Sequence, residues 1–363
     1  MRKKFALITH PYDLGHVRRI IAYHDPNSKR LSDGLLTRLI EWAPSFKIGE
    51  WLGIRSRTGA EVDGVNITCP IIPRLPRLGP KALFEKIRGA CRLAAELGAH
   101  IAALGGFTSI YGENNQLSAS RESQIAVTTG NSLTAAMAIK GILKAAEALG
   151  VEMKRATVAI IGATGDIGAA CARALLSKVK ALNLAARSRP RLEAFAKALE
   201  RLAPNIGRVA SDNREAVADA DVVLCVASSS EPILDSRDLR PGTIVCDVGY
   251  PKNVAARAAH RHDVFVFDGG LVSTPTPIDF GFDNGLPNPN VLYGCFAEGV
   301  VLALEGRIES FSVGKGRITP EKMDEIAQIS ARHGFDLAPF YSGGRLVSDE
   351  RLGELREEFA RHH

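Results

Sequence analysis

The stretch Ala156-Thr-Val-Ala-Ile-Ile-Gly162-Ala-Thr-Gly165-Asp-Ile-Gly168-Ala-Ala-Cys-Ala-Arg-Ala-Leu175 decides the fold of this chain. A β-branched run ends on a glycine, glycines recur at three-residue spacing, and an Ala/Leu-rich segment follows. Because glycine triplets also occur in ordinary turns, the flanking strand and helix patterns carry the interpretation. They predict a strand, a tight turn and a helix whose N-terminal N–H groups bind a pyrophosphate.

The end of the second predicted strand, Ala181-Leu-Asn-Leu-Ala-Ala-Arg187-Ser188-Arg189, indicates which dinucleotide is bound. An NAD-selective site has an Asp or Glu here to bind the ribose 2′-hydroxyl. This chain has two arginines and a serine instead, which suit a 2′-phosphate, although the same charges also fit a solvated loop. The sequence therefore predicts NADPH. The predicted contacts are Gly162, Thr164, Gly165, Asp166, Ile167, Gly168, Arg187, Ser188, Arg189, Ala227 and Gly249.

The length of 363 residues allows two or three domains. Residues 1–135 are predicted to form a smaller N-terminal α/β domain for substrate or carrier, and residues 136–155 a linking helix. Residues 156–275 contain continuous apolar strands, as expected of a doubly wound parallel sheet covered on both faces. Residues 276–363 are predicted to form a mostly helical C-terminal segment. The predicted fold class is therefore α/β, with a Rossmann-type domain after a smaller α/β domain.

The composition is typical of a soluble globular protein, with 45% hydrophobic and 24% charged residues. The net charge of +6 favours an acidic partner or substrate. Nucleic-acid binding is not expected, because only 6% of the residues are aromatic and they do not alternate with basic ones. No apolar run reaches transmembrane length. The scattered cysteines show neither metal spacing nor a disulfide framework, so a reducing, cytoplasmic environment and no bound metal are expected.

Cys295 is the candidate nucleophile. Gly294 and Gly306 bound a predicted helix, so Cys295 lies in its first turn, where the helix dipole and N–H groups would stabilise a thiolate. The residues alone leave this role open against that of a packed thiol. Three other cysteines are most simply explained as core thiols, namely Cys171, Cys225 and Cys246. Cys69 precedes a proline and Cys91 falls on a predicted helix, and the sequence shows no partner for either.

Three further features have a functional and a structural explanation. His10 and His16 either lie near a functional site or are structural histidines whose hydrogen bonds are satisfied within the fold. The Gly105-Gly106-Phe-Thr-Ser109 turn directs donors towards a carbonyl oxygen or is only a tight turn. A basic run binds an acidic carrier or is a solvated helix face; it contains Arg74, Arg77, Lys81, Lys86, Arg88 and Arg92, with Glu85 as the one nearby acid.

Several stretches together resemble the long-chain acyl-[acyl-carrier-protein] reductases, which form fatty aldehydes for alkane synthesis. In chain order they are Ala103–Ile110, Thr128–Asn131 with Thr134-Ala135, Val158–Gly168, Gly249-Tyr-Pro-Lys-Asn253, Gly269-Gly270, Cys295-Phe-Ala-Glu298, Ile318–Met323 and Arg332-His-Gly-Phe335. The resemblance implies reduction of an acyl thioester to an aldehyde with NADPH, with Cys295 as the nucleophile that carries the acyl group. It also implies an acyl carrier protein, or coenzyme A, as the carrier and allows an aldehyde-consuming partner enzyme.

Two alternatives stay open. The first is an NADP-dependent dehydrogenase of a small polar substrate, similar to shikimate dehydrogenase, which has the same two-lobed plan and needs no nucleophilic cysteine. The second is a non-catalytic NADPH-binding protein, which would turn over no thioester.

Overall fold

The chain folds into two compact units. The computed structural model describes residues 2–25, 31–73, 78–111, 121–281, 284–314 and 316–362. The first unit consists of Met1–Leu133, Val272–Arg317 and Glu325–Asp336, and the second of Thr134–Leu271, Ile318–Asp324 and Leu337–His363. This division differs from the one expected from the sequence. Residues 276–363 are shared between the units, and the whole of the expected linking helix, residues 136–155, belongs to the second unit.

The helices are α1 (Leu14–His24), α2 (Asp33–Trp42), α3 (Pro80–Glu96), α4 (Phe107–Tyr111), α5 (Asn131–Leu149), α6 (Asp166–Leu175), α7 (Arg189–Glu200), α8 (Asn213–Val217), α9 (Gly294–Glu305), α10 (Pro320–Arg332) and α11 (Asp349–Phe359). The strands are β1 (Lys3–Thr9), β2 (Phe46–Arg55), β3 (Glu61–Thr68), β4 (Ile101–Leu104), β5 (Ala126–Thr128), β6 (Thr157–Ile161), β7 (Ala181–Ala185), β8 (Gly207–Val209), β9 (Val222–Cys225), β10 (Thr243–Asp247), β11 (Val264–Asp268), β12 (Leu271–Ser273), β13 (Val291–Tyr293), β14 (Asp336–Leu337), β15 (Tyr341–Ser342) and β16 (Arg345–Leu346).

The first unit is built on a five-stranded sheet with the order β2-β3-β1-β4-β5. Strands β3, β1, β4 and β5 run parallel, and β2 is an antiparallel edge strand. The parallel strands are buried on both faces, because the apolar side of α3 covers one face and α9 lies on the other. Helix α9 packs closely there: a methyl group on Gly299 would lie 2.7 Å from the Ala103 Cβ.

The second unit contains a six-stranded parallel sheet with the order β11-β10-β9-β6-β7-β8. In chain order this is 3-2-1-4-5-6 read from the β8 edge, which is the order of the dinucleotide-binding fold. Residues of β6, β7, β9 and β10 are buried throughout, as the continuous apolar runs predict. The predicted Rossmann-type α/β fold is confirmed.

The C-terminal residues form α10, the short hairpin of β15 and β16, and α11. The predicted helical character is therefore right for α10 and α11, while the hairpin around Gly343-Gly344 was not predicted. Among the residues that the structure describes, no helix combines the length and the apolar character that crossing a bilayer requires.

Candidate active site

In the first unit, three chain segments meet at the carboxyl edge of the sheet. His10 follows β1, the Gly105-Gly106 turn follows β4, and Thr128–Gly130 ends β5. They lie side by side because β1, β4 and β5 are neighbouring parallel strands. Ligands of open α/β sheets bind at this edge.

Cys295 is in the first turn of α9, as the sequence predicts, and the helix packs directly against this edge. A Cβ on Gly130 would lie 2.2 Å from the Cys295 Cα, and one on Gly105 would lie 2.3 Å from the Phe296 ring. Only glycines allow the two turns to approach α9 this closely. Cys295 is partly exposed, whereas the five other cysteines are buried.

Burial acts against the thiolate that the sequence predicts at Cys295. Burial of the sulfur raises the pKa of the thiol to about 12, because a desolvated charge is disfavoured. Hydrogen bonds from the N–H groups of Gly106, Phe296 and Cys295 itself act in the opposite direction and lower that pKa. The donors that the sequence predicts at a helix N-terminus are therefore present, but desolvation outweighs them and the thiol keeps its proton.

Glu298, one turn into α9, is fully buried and ties the helix to β5 and the start of α5. Its carboxylate accepts hydrogen bonds from the Thr128 hydroxyl and from the Leu133 N–H, the latter at 2.9 Å. The Thr128 oxygen in turn accepts from the Gly130 N–H at 3.2 Å. The negative charge of Glu298 also contributes to the raised pKa of Cys295. Sequence reasoning quoted this glutamate only within the family motif and gave it no role.

A small cavity in the first unit has room for about one water molecule. It is lined by Thr9, His10, Tyr12, His16, Ile20, Phe280, Asn284, Tyr293 and Phe296. Tyr293 and Phe296 flank Cys295 along the chain. A space of this size does not hold an acyl chain, so it is not a complete substrate site.

His10 lines this cavity, and both nitrogens of its ring are hydrogen-bonded to the backbone. Its Nε2 accepts from the Phe107 N–H at 3.0 Å, so its Nδ1 carries the proton and donates to the Pro11 carbonyl, also at 3.0 Å. Burial lowers the pKa of His10 to about 4, so the ring is neutral at physiological pH. Of the two explanations offered by the sequence, the structural one fits His10. His16 accepts from the Tyr12 N–H at 3.3 Å through Nδ1 and stacks on the Tyr12 ring.

In the second unit, the glycine turn has the geometry that a dinucleotide requires. Gly162 has φ of +93°, and a Cβ there would lie 2.8 Å from the Ala227 nitrogen. A Cβ on Gly168 would lie 2.4 Å from the Gly162 carbonyl oxygen. Gly165 is the exposed N-cap of α6, so the N–H groups of the first turn point out of the end of the helix. This backbone fits a pyrophosphate at the helix N-terminus, beside Thr164 and Ile167.

The predicted contacts after β9 and β10 are brought to the same edge as the glycine turn. Asn253 joins them: its Oδ1 accepts from the Ala227 N–H at 2.9 Å, and its Nδ2 donates to the Ala227 carbonyl at 3.0 Å. Gly249 packs against the same amide, because a Cβ there would lie 2.6 Å from the Asn253 Nδ2. Asn253 was not predicted as a site residue, although it ends the quoted stretch Gly249-Tyr-Pro-Lys-Asn253.

The basic residues after β7 divide into two kinds. Arg189 is held by Glu193 at 2.8 Å and by the Ala210 carbonyl at 3.1 Å, whereas Arg187 is exposed. Ser188 is the N-cap of α7, yet its side chain makes no capping hydrogen bond. Arg191, which was not predicted, reaches the glycine turn and donates to the Thr164 carbonyl at 3.2 Å. Arg191 lies two residues beyond Arg189, the last of the three residues that the sequence analysis selected.

The predicted basic run is partly neutralised. Arg88 forms ion pairs with Glu85 at 2.7 Å and with Glu122 at 2.8 Å. Lys86 donates to the Ala43 carbonyl at 2.7 Å and to the Ile40 carbonyl at 3.1 Å, and so binds the C-terminus of α2. Lys81 and Arg92 are exposed, while Arg74 and Arg77 lie outside the described residues.

Comparison with known proteins shows which families this chain is similar to. A family model for shikimate / quinate 5-dehydrogenase matches residues 144–269. The long-chain acyl-[acyl-carrier-protein] reductase of Synechococcus elongatus is 32% identical over 337 residues, which cover 89% of this chain and 97% of that protein. Aminotransferase PigE of a Serratia species is 28% identical over 366 residues, which cover 99% of this chain and 42% of that protein.

Among solved structures, an NAD-dependent malic enzyme from Thermotoga maritima covers 92% of this chain and 84% of its own, with 13% identity and a TM-score of 0.44. The dinucleotide-binding sheet and the matched families together define an oxidoreductase. The chain belongs to the family of long-chain acyl-[acyl-carrier-protein] reductases. The resemblance carried by its motifs is thereby confirmed.

Proposed function

We propose that this protein reduces a long-chain acyl thioester to a fatty aldehyde, with NADPH as the reductant and Cys295 as the nucleophile. The observation that carries the proposal is the placement of Cys295 in the first turn of α9, against which the backbones of Gly105 and Gly130 pack at the carboxyl edge of the sheet. The name of the Synechococcus relative supports the substrate class. The match at residues 144–269 lies within the second unit, so it supports dinucleotide binding and does not bear on Cys295.

The first step is acyl transfer. The Cys295 sulfur attacks the thioester carbonyl carbon, the carbon–sulfur bond to the carrier breaks, and the carrier leaves as a thiol with the proton that Cys295 gives up. Because the free thiol has its pKa raised to about 12, the sulfur keeps its proton until the substrate arrives. The N–H groups around the sulfur then stabilise the negative charge that develops during attack.

The residues that would hold NADPH fit it. The backbone of Gly162–Gly168 would bind the pyrophosphate at the α6 N-terminus, and Ala227 and Gly249 would border it. Arg187, Ser188 and Arg191 would bind the 2′-phosphate, since no carboxylate stands at the end of β7. When bound, NADPH supplies the hydride that reduces the acyl group.

The direct test is intact-mass measurement after incubation with palmitoyl coenzyme A in the absence of NADPH. One palmitoyl adduct on the wild-type protein, and none on Cys295→Ala, is the expected result. Because the other cysteines have no exposed surface, they serve as internal controls. Addition of NADPH should then remove the adduct and release hexadecanal. Aldehyde formation by Cys295→Ala at the wild-type rate would exclude the covalent route.

We propose acyl carrier protein as the natural carrier, which the same relative's name supports. Arg92 and Lys81 are the exposed cations of the predicted basic run, whereas Arg88 is already bound to two glutamates. Arg92→Glu should raise KM for palmitoyl-acyl-carrier-protein several-fold at low salt, and salt should reduce the difference. The matched control is Arg201→Glu, an exposed arginine of the second unit. Equal KM values for the two variants would exclude this face as the dock.

A further inference from the structure

The glycine turn that packs against the first turn of α9 is itself held in place by a histidine. Gly106 has φ of +56°, and a Cβ there would lie 2.6 Å from the His10 Nε2. The same nitrogen accepts the N–H of the next residue, Phe107, at 3.0 Å. His10 therefore contacts the turn on both sides of the Gly106–Phe107 peptide. Gly105 of the same turn packs against α9 beside Cys295, because a Cβ there would lie 2.3 Å from the Phe296 ring. The backbone of Gly106 is also among the groups that lower the pKa of the Cys295 thiol.

The other backbone groups of the turn are also hydrogen-bonded, which restricts the orientation of the Gly106 N–H. The Gly105 carbonyl accepts from the Thr108 hydroxyl at 2.8 Å, and the Gly106 carbonyl accepts from the Ser109 hydroxyl at 2.7 Å. Both carbonyls are thus bound into α4. The Gly105 N–H is bound to the Ile8 carbonyl of β1 at 3.1 Å. The orientation of the turn is therefore set by β1 on one side, α4 on another and His10 on the third.

The histidine is suited to this task because it has a single protonation state at physiological pH. Its Nδ1–H bond to the Pro11 carbonyl fixes the tautomer that leaves Nε2 as an acceptor. It is 4% exposed, and the rings of Tyr12 and Phe107 pack edge-on against it. A protonated imidazole would have no acceptor for the Phe107 N–H, and the turn would lose its contact.

We propose that His10 is a positioning residue for the Cys295 nucleophile: it holds the Gly105–Phe107 turn so that the Gly106 N–H donates to the sulfur. This role rests on the proposed function of Cys295 and deepens it. His10 does not touch the substrate and does not take the cysteine proton. It sets the donor that stabilises negative charge on sulfur when the thiol reacts.

The test compares two amide substitutions that differ in reach. In His10→Gln, the side-chain oxygen reaches the position of Nε2 and accepts the Phe107 N–H. In His10→Asn, the oxygen reaches only the position of Nδ1. The measurement is the rate of Cys295 alkylation by iodoacetamide at fixed pH, followed by peptide mass, with Cys295→Ala to confirm the labelled site. The melting temperature and NADPH affinity are measured in parallel.

The expected result is a rate about tenfold lower in His10→Asn, which is the effect of one hydrogen bond to a charged group. His10→Gln should stay within about threefold of wild type. Equal rates in both variants, whether both normal or both reduced, would overturn the positioning role. Alkylation needs neither a thioester nor turnover. A protein that shows this pattern but forms no palmitoyl adduct would keep the role of His10 and refute the proposed function.

Discussion

Gly130 and Cys295 pack backbone against backbone. A Cβ on Gly130 would lie 2.2 Å from both the Cα and the carbonyl oxygen of Cys295, and Gly130 has φ of +67°. There is thus no room for a side chain between the end of β5 and the first turn of α9 at this contact. Because the sulfur is placed by that turn of α9, the position of the cysteine depends on a residue far from it in the sequence.

Replacement of Gly130 by alanine should therefore move the α9 N-terminus or β5 and reduce Cys295 reactivity by at least tenfold. The matched control is Gly98→Ala in the same unit, since Gly98 also has a positive φ, +78°, but has no atom within 4 Å of an added Cβ. Both variants carry the backbone strain, of about 1 kcal/mol. Only Gly130→Ala carries the clash. Similar alkylation rates for the two would mean that the contact does not position the cysteine.

The raised pKa of Cys295 gives a pH dependence with a definite sign. Below a thiol's pKa the thiolate fraction rises tenfold for each pH unit, and the thiolate is the reactive form. With the pKa at about 12, alkylation of Cys295 should keep rising with pH from neutral to about pH 10 without a plateau. The rate is measured with iodoacetamide over this range, with glutathione as the reference thiol. A plateau at neutral pH would mean that the sulfur is already ionised.

The sequence was informative where chemistry is local. The glycine spacing at Gly162–Gly168 requires a positive φ and close packing of a helix on a strand, and both are found. The helix start at Cys295 was equally readable from Gly294. The burial of the Cys295 sulfur could not be predicted from the sequence. A helix N-terminus lowers the pKa of a thiol in water, but desolvation of the thiol outweighs that effect. The ends of β1, β4 and β5 meet only after the sheet forms, so the contacts of His10 and Gly130 were not predictable.

We expect the Glu298 carboxylate to stabilise the fold and, through its negative charge, to lower the reactivity of Cys295. In Glu298→Gln the amide cannot accept from both the Thr128 hydroxyl and the Leu133 N–H, so one buried donor loses its partner. The expected cost is about 1–3 kcal/mol of unfolding free energy, measured by urea denaturation. Loss of the negative charge should also lower the pKa of Cys295 and speed its alkylation at fixed pH.

The control for Glu298→Gln is Glu309→Gln, which breaks a half-exposed ion pair with Arg307. Such pairs contribute about 0–1 kcal/mol, so this variant should unfold close to wild type. If Glu298→Gln were as stable as the control, the buried carboxylate would not be holding α9 to β5. Slower alkylation in Glu298→Gln would instead show that the geometry of the turn outweighs the lost charge.

Cofactor choice is testable within one group of arginines. Arg187 is exposed at the end of β7 and Arg191 reaches the Thr164 carbonyl of the glycine turn, whereas Arg189 is bound to Glu193 and the Ala210 carbonyl. Arg187→Ala and Arg191→Ala should each weaken NADPH binding by roughly tenfold to a hundredfold, the effect of a charge-assisted hydrogen bond to phosphate. Both should leave NADH binding nearly unchanged.

Arg189→Ala, the control from the same helix turn, should alter the NADPH/NADH ratio less than about threefold. Fluorescence titration with both dinucleotides measures the ratio, and an equal loss for NADPH and NADH in Arg187→Ala and Arg191→Ala would exclude a 2′-phosphate site at this turn.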